Sequence, residues 1–204
     1  GEAVAQDVEN NIGFASILAV PLFFGSLVIG TPLVVTAYGQ GFTGAGAFIA
    51  GLALFRLIKS QDVIYRSTLN GLGVPHLNFQ VSIVIFTLNI VLGLTLLFAI
   101  GPIGVVAATV LSEGVGYLLH VWLVKDRIPA VDVLPSPLLH QLVSGGMMAV
   151  LVWALTDLLK LNNVFVVGGL VAVGAVVYGG VLYAISPSVR KTMSAVMADA
   201  QGLV

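Results

Sequence analysis

Residues Leu77–Val124 read LNFQVSIVIFTLNIVLGLTLLFAIGPIGVVAATVLSEGVGYLLHVWLV. Two apolar runs, Leu77–Ala99 and Pro102–Val124, are separated only by Ile100–Gly101. Each matches a helix crossing the hydrocarbon core of a bilayer, which takes roughly 20 residues at about 1.5 Å per residue. Transmembrane β-strands would be shorter and would alternate apolar with polar residues, and neither run does so. A two-residue connection forces the chain to reverse, so the two spans are expected as antiparallel neighbours.

The same pattern extends in both directions, to Ile12–Ala37, Gly44–Leu69, Leu138–Leu159 and Val164–Ile185. The connections are short: Tyr38–Thr43, Asn70–His76, Lys125–Pro137 and Lys160–Asn163. The expected fold is therefore all-α, a polytopic membrane helical bundle of six transmembrane helices over residues 12–185. Residues 1–11 read as a linker. Residues 186–204 read as a tail that is either weakly amphipathic, through Val189, Met193, Val196 and Met197, or disordered. The start GEAVAQDVENN has neither Met nor a basic stretch ahead of a short apolar one, and reads as a cut inside a longer polypeptide.

Composition agrees. The chain has 204 residues, of which 58% are apolar and 8% charged, and its mean hydropathy is +1.09. A soluble domain would carry about a quarter charged residues. There is no cysteine, which excludes disulfide and thiol chemistry. A net charge of −1 gives no electrostatic case for nucleic acid. Arg66, Lys125, Arg127, Arg190 and Lys191 fall on one side of the six spans and only Lys160 on the other. By the positive-inside rule both ends of the chain are expected in the cytoplasm of a multi-pass cell-membrane protein. Small residues four apart (Ala47 and Gly51, Gly145 and Ala149, Gly168 and Ala172, Ala175 and Gly179) are spaced for close helix packing. Pro21 and Pro32 fall inside the first span and are expected to permit kinks there.

One span breaks the apolar rule. Residues 44–70 read GAGAFIAGLALFRLIKSQDVIYRSTLN, with Arg56, Lys59, Asp62 and Arg66 at membrane depth. Ionisable groups inside a bilayer are costly and ordinarily face a bundle interior or a water-filled cavity. At helical spacing Arg56, Lys59, Val63, Arg66 and Asn70 share one stripe, with Asp62 on its flank. Arg56 and Lys59 are expected near the bilayer middle and Arg66 near the cytoplasmic mouth. Asn89 and Glu113 lie about midway along the next two spans, with Tyr117 and His120 following Glu113 on the same face. The expectation is a polar cavity at the midplane where Arg56, Lys59, Asn89 and Glu113 meet.

A closed salt-bridge network is the alternative, with Asp62 between Lys59 and Arg66 and Glu113 neutralising Arg56. Counting Arg56, Lys59 and Arg66 against Asp62 and Glu113 leaves one positive charge over. An unpaired cation at the bilayer centre costs about 2.5–3.5 kcal/mol, so an anionic partner or water is expected beside it. His76 and His140 read as interfacial residues. No metal-spaced cluster, nucleophile–base pair or phosphate-binding glycine loop is present, so neither a metal, a cofactor nor an enzymatic activity is expected.

Three stretches carry a family likeness: IGFASILAVPLFFGSLVIGTPLVVTAYGQGF, DVIYRSTLNGLGVPHLNFQ and NIVLGLTLLFAIGPIGVVAATVLSEGVGYLL. With these the chain resembles the C-terminal half of polysaccharide and lipid-linked oligosaccharide flippases, relatives of the multidrug and toxin extrusion transporters and the lipid II flippases. The likeness covers residues 1–127 well and the last two spans by topology alone. It implies one lobe of a two-lobe transporter working by alternating access on a glycan carried by a polyprenyl phosphate or pyrophosphate. Residues 1–11 would then be a cytoplasmic linker from a missing N-terminal lobe, and either that lobe or a second copy of the chain would complete the cavity. Arg56, Lys59, Arg66, Asn70 and Asn89 are the expected substrate-binding residues. Asp62, Glu113 and His120 are expected to orient those cations or to carry coupling ions. A cation-coupled multidrug exporter lobe and a non-transporting scaffold of a glycan-synthesis complex are the competing readings.

Overall fold

A computed structural model describes residues 2–159, 161, 163–187, 189 and 190. Over these residues the chain forms seven α-helices: α1 (Glu2–Ser16), α2 (Ala19–Tyr38), α3 (Ala45–Gly71), α4 (Pro75–Ile100), α5 (Pro102–Arg127), α6 (Ser136–Leu158) and α7 (Val164–Ile185). A short 3₁₀ turn, Gln40–Phe42, joins α2 to α3. No strand occurs among the described residues. The protein is an all-α membrane bundle.

The expected first span is two helices. Pro21 lacks an N–H, so the carbonyl of Ile17 has no donor four residues on, and the helix is interrupted at Ile17–Leu18. Pro21 therefore sits in the first turn of α2 instead of kinking a long span, while Pro32 lies inside α2. Residues 2–11, expected as a linker, are helical and belong to α1, whose Ala5, Val8 and Ile12 are buried. They join one apolar core with Leu69, Val124, Ile128 and Val131. The amide of Asp132 donates to Glu9 Oε1 at 2.9 Å, tying α1 to the α5–α6 loop at one end of the bundle. Of the tail, Met193, Val196 and Met197 lie outside the described residues.

Five helical stretches are long and apolar enough to cross a membrane: Val4–Tyr38, Pro75–Ile100, Pro102–Arg127, Ser136–Leu158 and Val164–Ile185. The 27 residues of α3 equal these in length, but their charges set them apart in composition. The helix order makes α3 run parallel to α5 and antiparallel to α4. α5 packs against both, whereas α3 and α4 touch little, so a cleft opens between them. On the other flank α2 packs against α3, α6 and α7.

Glycines set the tightest approaches. Gly101 turns α4 into α5 at φ 75°, in the left-handed region that glycine tolerates. Directly after it, Gly104 faces the carbonyl of Leu96 with no room for a methyl group. Gly51 meets Val106, and Gly145 meets Phe24 and Val20. The other two small-residue pairs act differently: nothing lies within 4 Å of a β-carbon placed on Gly168 or Gly179, so they mark no close helix contact among the described residues.

Because the obstacle at Gly104 is backbone, a substitution there forces α4 and α5 apart. Gly104→Val is expected to cost about 1–3 kcal/mol and to lower the midpoint of thermal unfolding in detergent. The same change at Gly168, which meets nothing, is expected to leave that midpoint nearly unmoved.

Candidate functional site: a charged cleft between α3, α4 and α5

The two faces of α3 are opposite in character. Gln61, Asp62, Tyr65 and Leu69 are buried against the bundle, while Arg56, Val63 and Asn70 are exposed. Lys59 and Arg66 lie between, with side chains 31% and 33% exposed. The residue spacing of a 3.6-fold helix accounts for this division.

The buried carboxylate of Asp62 organises the site. Its Oδ2 lies 3.5 Å from Lys59 Nζ and 3.7 Å from an Arg66 guanidinium nitrogen, and its Oδ1 lies 2.5 Å from His120 Nδ1. The parallel course of α3 and α5 sets this register. Glu113, two turns before His120 on α5, forms an ion pair with Lys59 on α3. Asp62 and His120 are wholly buried and the Glu113 side chain is 7% exposed. The acids thus lie beneath and the two cations lie over them, toward the cleft.

α4 supplies the facing wall. Arg66 Nη2 donates to Ser82 Oγ at 3.4 Å, and Ser82 in turn donates to the carbonyl of Asn78 at 2.7 Å. Asn78 Nδ2 lies within donating distance of the Arg66 carbonyl (3.0 Å) and Asn70 Oδ1 (2.7 Å). Deeper in the cleft, Asn89 Nδ2 reaches Thr109 Oγ1 at 3.3 Å and Ser112 Oγ at 3.1 Å on α5. The resulting cleft measures about 240 Å³ and is lined by Lys59, Arg66, Ser82, Ile85, Phe86, Asn89 and Glu113. It combines a cationic wall with an apolar patch, a surface for an amphipathic anion.

Of the residues expected from sequence, Lys59, Arg66, Asn89 and Glu113 line this cleft, and Asp62 and His120 lie beneath it. Arg56 does not join them. It is exposed on α3, its guanidinium lies 5.9 Å from the ring of its neighbour Phe55, and the carboxylate expected to neutralise it pairs with Lys59 instead. Lys59 lies one helical turn further along, in register with Glu113. Asn70 is exposed and reaches the site only through Asn78. Ile85, Phe86 and Thr109 were not distinguished by sequence, because apolar residues and a lone threonine are ordinary in any membrane helix. Only the packing of α4 on α5 gives them a place. Among the described residues no cluster of His, Asp and Glu is spaced to hold a metal ion.

Comparison with known proteins bears on what such a cleft serves. Over 204 residues the chain is 28% identical to a protein of Haloferax volcanii named probable flippase AglR, a match covering 98% of this chain and 42% of that protein. The chain is related to proteins named as flippases. A second relative from the same organism, named probable low-salt glycan biosynthesis flippase Agl15, is 29% identical over 119 residues, which is 58% of this chain and 25% of that protein. The chain thus spans less than half the length of these relatives. No known family profile and no solved structure matches it. These kinships agree with the transporter family that the sequence resembles, since both related proteins are named as flippases.

The geometry distinguishes Asp62 sharply from Arg56. Replacing Asp62 with Ala removes a buried partner from Lys59, Arg66 and His120 at once and leaves Arg66 with no carboxylate beside it, and the expected loss of stability is on the order of 3 kcal/mol. Arg56→Ala removes no ion pair seen here and is expected to change stability by about 0.5 kcal/mol or less. Thermal unfolding of the two variants side by side in detergent checks both values.

Proposed function

We propose that the chain forms one lobe of a membrane transporter that flips a lipid-linked glycan for cell-surface polysaccharide or glycoprotein synthesis. One observation carries this reading: α3 presents Lys59 and Arg66 to an open cleft while their counter-charges, Asp62 and Glu113, are buried behind them. An anion entering the cleft meets cations first. The names of the two Haloferax volcanii relatives support the substrate class, because both are flippases and one carries glycan biosynthesis in its name.

In this reading the phosphate of a polyprenyl carrier is held by Lys59 and Arg66 and hydrogen-bonded by Asn89 and Ser82. The aliphatic and aromatic groups of Ile85 and Phe86 take the adjoining apolar part. Asp62 and Glu113 keep both ammonium and guanidinium groups from turning away. Arg56 and Asn70, exposed on the same helix, extend the cationic stripe along the path toward and away from the cleft. A cleft with one open side needs a second wall, which a further lobe of the same protein or a second copy of the chain supplies. Both described ends of the bundle lie on the cytoplasmic side, with Arg66 nearer that side than Lys59. Movement of the phosphate between inward and outward openings is alternating access. The cations on the cleft wall disfavour the multidrug-exporter reading, in which a cationic drug requires an acidic surface.

The test is made in cells with the complete gene product. Lys59→Ala with Arg66→Ala is expected to lower delivery of lipid-linked glycan to the outer face by about tenfold or more, since each removes a charge-assisted contact of about 1.5–3 kcal/mol. Abundance in the membrane should be measured alongside. Undiminished glycan delivery in a normally abundant double variant overturns the assignment of the cleft.

A further inference from the structure

A second groove lies on the other flank of α3. It runs between α1 and the last turns of α3 and measures about 550 Å³, a size that holds a small organic ligand. Four polar side chains line it: Asp7 and Asn11 from α1, Ser67 and Thr68 from α3. Asp7 and Asn11 are one helical turn apart and share a face of α1. With Ser67 they are exposed, so their polar atoms are open to a ligand. The Thr68 hydroxyl donates to the carbonyl of Ile64 at 2.9 Å and keeps its oxygen free to accept. Val4, Val8, Ile64 and Leu72 add apolar surface. A β-carbon placed on Gly71 meets nothing within 4 Å, which leaves that part of the groove open. Among the described residues no Lys, Arg or His lines it.

We infer that this groove seats a neutral sugar of the transported molecule while the cleft holds its phosphate. This rests on the anion-binding reading of the cleft. The chemistry of the surface changes in order around α3. It is apolar at Ile85 and Phe86 and cationic at Lys59 and Arg66. It then crosses the exposed residues Val63 and Asn70. Beyond Ser67 it becomes polar and cation-free, at Thr68, Asn11 and Asp7. Hydrocarbon, phosphate and sugar follow one another in the same order along a lipid-linked glycan. The groove also lies further along α3 than the cleft, nearer the end of the helix, so the most hydrophilic part of the ligand is directed to the aqueous mouth.

The side chains suit a pyranose. Such a ring carries hydroxyls at its edge and C–H groups on its faces. The carboxylate of Asp7 offers two oxygens to adjacent hydroxyls, and the amide of Asn11 both donates and accepts. The charge on Asp7 strengthens the bonds it accepts. Val8 and Ile64 meet the C–H face. The same carboxylate repels a phosphate or an acidic sugar, and specificity commonly has such a repulsive part. Asp7 thus keeps the phosphate in the cleft and favours a neutral sugar over a uronate in the groove.

The experiment uses the complete gene product, purified in detergent, and a set of geranyl phosphodiesters bound in a calorimeter. Glucosyl, galactosyl and mannosyl diesters carry a neutral sugar, a glucuronyl diester carries an acidic one, and geranyl methyl phosphate carries none. The readout is the affinity of each sugar diester divided by that of the methyl diester, which isolates the contribution of the sugar. At least one neutral sugar is expected to raise affinity by about tenfold or more, the yield of two or three hydrogen bonds. Asp7→Ala with Asn11→Ala is expected to bring that ratio close to unity. Because both residues are exposed, the change leaves the packing of α1 intact. Asp7→Asn, which removes the charge and keeps the shape, is expected to raise the ratio for the glucuronyl diester. A ratio near unity for all three neutral sugars is the result if another part of the protein fills the groove, and it overturns the inference while leaving the anion cleft standing. An undiminished ratio in the double variant does the same. No saturable binding of any diester overturns the cleft reading and the inference with it.

Discussion

The carboxylate of Asp62 is the constraint on which the polar part of this bundle depends. It is wholly buried, and it contacts His120 on α5 together with Lys59 and Arg66 on its own helix. A lone carboxylate in such a place is very costly, so the three partners are conditions of its being there. They in turn set the register of α3 against α5, which brings Glu113 to Lys59. An apolar helix pair slides at little cost. A charged one has a single low-energy register, and the cleft inherits its geometry from that register.

The cleft itself arises from unequal packing. α4 and α5 are drawn together by the tight turn at Gly101 and the bare backbone at Gly104 and Gly116, and α5 is joined to α3 by the ion pairs. α3 and α4 are left with few direct contacts and face each other across polar side chains. Arg66, Ser82, Asn78 and Asn70 bridge the gap at one end. Asn89 marks its depth. Buried acids under half-exposed cations make a wall that is nearly neutral in sum yet positive at its surface, and that contrast gives the cleft its chemistry.

Much of this was legible from residue order. Apolar runs and short connections define α4 to α7 nearly to their ends, because the bilayer demands length and apolarity and little else. The charged stripe on α3 was legible for the opposite reason: a charge among apolar residues is conspicuous. Two details were not. The division of the first span into α1 and α2 turns on one missing N–H at Pro21, and hydropathy runs through that position without a break. The partner of Glu113 was also hidden, because helical periodicity places Arg56 and Lys59 on one stripe and only the interhelical register tells them apart.

The sequence by itself determined that this protein is a helical membrane bundle with cations and acids at the depth of its middle, since composition and periodicity are local properties. Which cation meets which acid, and that Arg56 lies apart and leaves the cluster neutral, was decided only by tertiary structure. Ion pairing depends on distances of a few ångströms between helices, and those distances follow from packing at glycines and the register of α3 on α5, which no single helix encodes.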